Sequence, residues 1–202
     1  MTLIGVDFIA KQMTDLEFVK FAEEIISTEQ WERIPYMEIY TDLELSPKEH
    51  WQQRAYAFCK DHIPEDKRWR IFLDMYLVDG YRIPKNWLLE VLPYRPYGYL
   101  DCFPAELKSK DEITVYRAST LPPEDIDYVD LEISWTINPI IAERFYKVRN
   151  LTRPCYYYKA QIHKANIIAY IPFEYEVLQL CDVFNVQHIT EEEIKMECEV
   201  LK

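Results

Sequence analysis

The stretch Glu112-Ile113-Thr114-Val115-Tyr116-Arg117 divides this chain into two kinds of sequence. It is short, β-branched and followed by Pro122-Pro123, the pattern of a strand closed by a breaker. Everything upstream reads as helix. Thr14-x-x-Glu17 is a capping-box signal, and Phe18, Phe21, Ala22 and Ile25 follow it at helical spacing. Ser46-Pro47-Lys48-Glu49 joins a cap, a first-turn proline and a second capping box, after which Trp51, Ala55 and Phe58 share a face. Pro64 opens a third helix with Trp69, Phe72, Leu73 and Tyr76 on one side, and Gly80 stops it. Pro84 to Leu92 predicts a short fourth helix ended by Pro93. The tryptophans Trp51, Trp69 and Trp87 lie on helical faces and are expected in the core of this region. Pro93, Pro96 and Gly98 then fall within six residues, so the change of grammar lies between Leu92 and Asp111.

Downstream the periodicity changes to that of strands. The segments 130–136, 155–163 and 175–181 read as strands, and Asn138-Pro139 caps a helix carrying Ile141, Ala142 and Phe145. The tail sends two signals. Thr190-x-x-Glu193 is a capping box, yet Ile194, Met196, Cys198 and Val200 alternate with Lys195, Glu197 and Glu199. The alternation has period two, so 184–189 and 194–201 are expected to form a terminal hairpin. The fold class is α+β, with a helical region over 1–105 and a strand-rich core over 106–202.

Composition narrows the function. Three glycines, Gly5, Gly80 and Gly98, are too few and too scattered for a phosphate-cradling loop of the Walker or Rossmann kind. A net charge of −12 repels phosphate backbones, so general nucleic-acid binding is disfavoured. The cysteines Cys59, Cys102, Cys155, Cys181 and Cys198 contain no C-x-x-C pair, so reduced, mostly buried thiols in a cytoplasmic protein are expected. The N-terminal stretch has no signal-peptide pattern, and no apolar run approaches a membrane span. His50, His62, His163 and His188 do not stand at metal-ligand spacing, and Tyr156-Tyr157-Tyr158 reads as core and sheet surface.

Three short pieces could carry chemistry. Arg117 ends an apolar strand, where a guanidinium needs a partner. Ser134 and Thr136 project to one face of their strand and Trp135 to the other. Glu174 and Glu176 face the same way if their strand has begun, and like charges side by side require compensation. Each has an ordinary use alone: a surface ion pair, a wet strand face, an acidic turn.

Taken in order, Tyr116-Arg117, Ser134-Trp135-Thr136 and Glu174-Tyr175-Glu176 resemble the motifs of the mono-ADP-ribosyltransferase family, in its arginine–serine–glutamate clade. Ala142-Glu143-Arg144-Phe145 sits where that family has the helix after its serine motif. The resemblance covers residues 111–202 and implies a mixed, split β-sheet core; the N-terminal helices lie outside it and are expected to pack on that core, to recognise a target or cover the sheet. It implies NAD as the substrate that donates ADP-ribose, a protein acceptor, no metal and no membrane, in the manner of an effector or toxin-like enzyme. On it, Glu176 bonds the ribose 2′-hydroxyl and stabilises the positive charge of the breaking glycosidic bond. Ser134 orients Glu176, Thr136 helps hold the nicotinamide ribose, Trp135 braces the strand or the cleft wall, Arg117 meets the NAD phosphates and Glu174 faces the acceptor. Ala118 stands where the family has glycine, and Arg149 and Arg153 lie in the segment corresponding to its phosphate–nicotinamide loop. Two rivals use the same residues differently: an acidic inhibitor on a dead transferase scaffold, and an NAD glycohydrolase.

Overall fold

The computed structural model describes residues 15–35, 51–79, 85–125, 133–148, 154–180 and 182–200. The chain divides into two compact units, 1–96 and 97–202. The first is helical, with α1 (Asp15–Thr28), α2 (Trp51–Cys59), α3 (Glu65–Asp79) and α4 (Lys85–Val91). Phe18, Ala22 and Ile25 are buried on α1, as are Trp69, Phe72, Met75 and Tyr76 on α3, so the apolar stripes form the core of this unit. Trp87 is half-buried and its ring packs at a tilt of 43° against Tyr56 of α2, with centroids 4.7 Å apart. Phe58, assigned by spacing to the same apolar face, is 43% exposed, with its ring edge against Phe18. The capping signals at Thr14 and Ser46–Glu49, and the stop at Gly80, lie outside the described residues.

The second unit opens with the single-turn helix α5 (Ala105–Lys108) and is organised by β1 (Glu112–Ser119), β2 (Ser134–Thr136), β3 (Tyr156–His163), β4 (Ala169–Ile171), β5 (Glu176–Leu178) and β6 (Val183–Ile189). Helix α6 (Pro139–Val148) joins β2 to β3, and α7 (Glu191–Val200) follows β6. The described strands form one six-stranded sheet in the order β4-β5-β2-β1-β3-β6. Every neighbouring pair is antiparallel, which corrects the mixed, split sheet that the resemblance implies. The helical crossover between β2 and β3 does leave those two strands parallel, but β1 inserts between them, so no parallel ladder forms.

Both faces of the sheet are covered. Ile113, Val115, Trp135, Tyr158, Ala160, Ile162 and Val177 form one layer, closed by Phe103 and Ile167 from loops. Tyr116, Ala118 and Tyr157 face the other way, against Ala142 of α6 and Ile194 of α7. The short strand β4 carries no periodic signal in the sequence, because Ile167 to Ile171 is an unbroken apolar run with no alternation; its three residues are all buried. Among the four described cysteines only Cys59 is fully buried, which corrects the expectation of mostly buried thiols.

The expected terminal hairpin is also corrected. Residues 191–200 are helix α7, not a strand. The capping box decides it: Thr190 Oγ1 accepts the Glu193 N–H at 3.2 Å, and the Glu193 carboxylate accepts the Thr190 N–H at 2.7 Å. Of the alternating apolar residues, Ile194 is buried while Met196 and Val200 are 67% and 84% exposed, so a strand's single apolar face was never satisfied.

Helix α7 is tied to the sheet by charge. The Glu197 carboxylate accepts the Tyr116 hydroxyl at 2.9 Å and pairs with the Lys159 ammonium. The Lys159 bond first, and the Tyr116 bond after it, hold the Glu197 carboxyl below the usual glutamate range against the opposing cost of burial. A depressed folded pKa gives stability that is full above the unfolded glutamate value of about 4.3 and is lost as pH falls through the folded value. Thermal melts between pH 6 and pH 3 are therefore expected to fall less steeply for Glu197→Gln than for the wild type. Parallel curves would show that this tie does not contribute.

Candidate functional site

The site is assembled by the β1–β2–β5 ladder. Tyr116 lies opposite Thr136, and Thr136 lies opposite Glu176. Side chains directly opposed across a ladder share a face, so Ser134, Thr136 and Glu176 point to the side of the sheet that carries α6 and α7. The Ser134 hydroxyl donates to Glu176 Oε1, joining residues 42 apart in sequence. Glu176 is only 8% exposed, a buried carboxylate kept in place by a hydroxyl donor.

Arg117 is one residue past Tyr116 and so projects to the opposite face, with Trp135 and Tyr158. It is half-buried, and its guanidinium Nη1 turns into the plane of the sheet to donate to the Ser134 carbonyl. Arg117, Ser134 and Glu176 thus form one chain of contacts that passes through both ends of the serine. Trp135 is buried at 1% and packs in the core, a structural brace.

The two glutamates part company. Glu176 is the first residue of β5, whereas Glu174 is exposed in the turn before it. The condition for a shared face, that the strand has begun at Glu174, is not met. Tyr175 between them has φ 51°, in the left-handed region that non-glycine residues rarely occupy. The turn is held at both ends: the Tyr175 N–H donates to the Pro172 carbonyl at 3.3 Å, and the Tyr175 carbonyl accepts the Ile137 N–H at 2.8 Å. Phe173 and Tyr175 are exposed on it at 66% and 43%.

Thr136 is 7% exposed and engaged with backbone. Its hydroxyl lies 3.0 Å from the Tyr175 carbonyl and 3.3 Å from that of Glu174, and it accepts the Asn138 N–H at 3.1 Å. Asn138 caps α6 with its side-chain oxygen on the Ile140 N–H at 3.0 Å. The left-handed Tyr175 carried no sequence signal, since neither glycine nor asparagine marks the position. Arg149 and Arg153 lie outside the described residues.

A separate cleft of about 520 Å³ opens at the end of the sheet, lined by Tyr99, Asp111, His163, Lys164 and Asn166. It contains none of the residues above. Among the described residues, no three His, Cys, Asp or Glu side chains gather as metal ligands, and no helix is long and apolar enough to cross a membrane. No family model, curated protein or solved structure matches the chain.

Proposed function

We propose that this protein is a mono-ADP-ribosyltransferase, moving ADP-ribose from NAD to an arginine side chain of a target protein. The observation that carries the reading is the buried Glu176 carboxylate bonded by the Ser134 hydroxyl across β2 and β5. In the reaction, the bond between the nicotinamide nitrogen and C1′ of its ribose breaks, and nicotinamide leaves with the electron pair. Positive charge grows on the ribose, and a preorganised carboxylate opposes it with little reorganisation. Ser134 fixes the rotamer of Glu176, and Arg117 fixes the backbone of Ser134. The acceptor nitrogen then bonds to C1′ and gives up its proton. The exposed Glu174 is suited to pair with an incoming guanidinium and take that proton.

The test is incubation with labelled NAD and a cell lysate, followed by mass spectrometry of the labelled protein. Millimolar NAD should also raise the melting temperature. No thermal response to NAD and no label transferred would leave the acidic inhibitor as the reading to pursue.

Arg117 stands on the face opposite Glu176 and is bonded to the Ser134 carbonyl, so Arg117→Ala tests the phosphate contact that the resemblance implies: with that contact, its loss weakens NAD binding by about 1.5–3 kcal/mol, the range for bonds to a charged group. Arg117→Lys should restore only part, because an ammonium lacks the guanidinium fork. Calorimetric titration checks it. Equal affinities in all three proteins would confine Arg117 to strapping the Ser134 carbonyl.

A further inference from the structure

We infer that Thr136 is a positioning residue that clamps the turn 172–175, and that the clamp sets how reaction divides between an acceptor and water. The partition half rests on the transferase reading above; the clamp itself does not.

Thr136 has one hydroxyl proton and spends it on backbone carbonyls of the turn, while its oxygen takes the Asn138 N–H. A hydroxyl so occupied, on a residue only 7% exposed, has little left to offer a sugar. What it holds is informative. The Tyr175 carbonyl receives both Thr136 Oγ1 and the Ile137 N–H, and Tyr175 is the residue in the left-handed conformation. That conformation costs free energy for a side-chain-bearing residue and persists only where its surroundings hold it. It is also what separates the carboxylates, leaving Glu176 buried on β5 and Glu174 exposed before it. An extended Tyr175 would put both on one strand face, side by side. Thr136 therefore acts on Glu174 through the backbone, and Asn138 links the same hydroxyl to the start of α6.

The experiment compares Thr136→Val, which keeps shape and removes the hydroxyl, with Thr136→Ser, which keeps the hydroxyl. Amide exchange at Ile137 and Tyr175 should quicken roughly tenfold in Thr136→Val, the loss of one net hydrogen bond, and stay near wild type in Thr136→Ser. In parallel, the ratio of labelled acceptor to released nicotinamide should fall about tenfold in Thr136→Val and recover in Thr136→Ser. A threonine that bound the ribose would instead raise the KM for NAD and lower both products together, and that result overturns the partition. Unchanged exchange in Thr136→Val overturns the clamp, whatever the wild type does with NAD. Absence of nicotinamide release from the wild type overturns the transferase reading and the partition with it, while the exchange rates still decide the clamp.

Discussion

Glu176→Gln is expected to slow nicotinamide release on the order of 10²–10³-fold while NAD still binds. The substitution keeps size and a hydrogen-bonding oxygen for the Ser134 hydroxyl, so the β2–β5 contact survives. On the transferase reading, what it removes is the negative charge that opposes the positive charge developing on the ribose. Because Glu176 is 8% exposed, little water can screen or replace that charge, which is why the effect should fall on the chemical step. Single-turnover nicotinamide release, with NAD affinity measured separately, separates the two terms. Turnover like the wild type would remove Glu176 from the catalytic role.

Glu174→Gln should act on the other half of the reaction, abolishing label transfer to protein while nicotinamide release without acceptor continues. Glu174 stands exposed in the turn, ahead of β5, so its loss leaves the buried Ser134–Glu176 pair in place. An amide can hydrogen-bond a guanidinium but supplies no charge to pair with it and no base to take its proton. The measurement is paired: nicotinamide release alone, and label incorporation with acceptor. Equal loss of both would assign Glu174 to bond cleavage, and the case for an arginine acceptor would fall.

Much of the architecture was legible because local signals agreed with the final packing. The stripe Phe18, Ala22, Ile25 on α1 states one period and buries the face that period names, and the short β-branched run of β1 is a strand, buried on both faces. The tail departs from the expected hairpin because two local signals conflict there. Alternation from Ile194 to Val200 favoured a strand, but the reciprocal Thr190–Glu193 bonds closed a helix cap and only Ile194 needed burial. The sheet's direction was not local at all, since it depends on β1 entering between β2 and β3.

For the site, the sequence by itself determined which side chains exist to do chemistry: Arg117 on a strand that runs on to Ser119, hydroxyls at Ser134 and Thr136, and two carboxylates at Glu174 and Glu176. It also determined that Trp135 faces away from the hydroxyls, because strand alternation is a property of the backbone. Only the tertiary structure decided which of these meet. The β2–β5 register placed Glu176 beside Ser134, the β1–β2 register sent Arg117 to the far face with its guanidinium returning to the Ser134 carbonyl, and a left-handed Tyr175 divided the glutamates. Those outcomes rest on pairings between residues far apart in the chain and on hydrogen bonds that hold an unfavourable backbone angle, and neither leaves a pattern in the local order of residues.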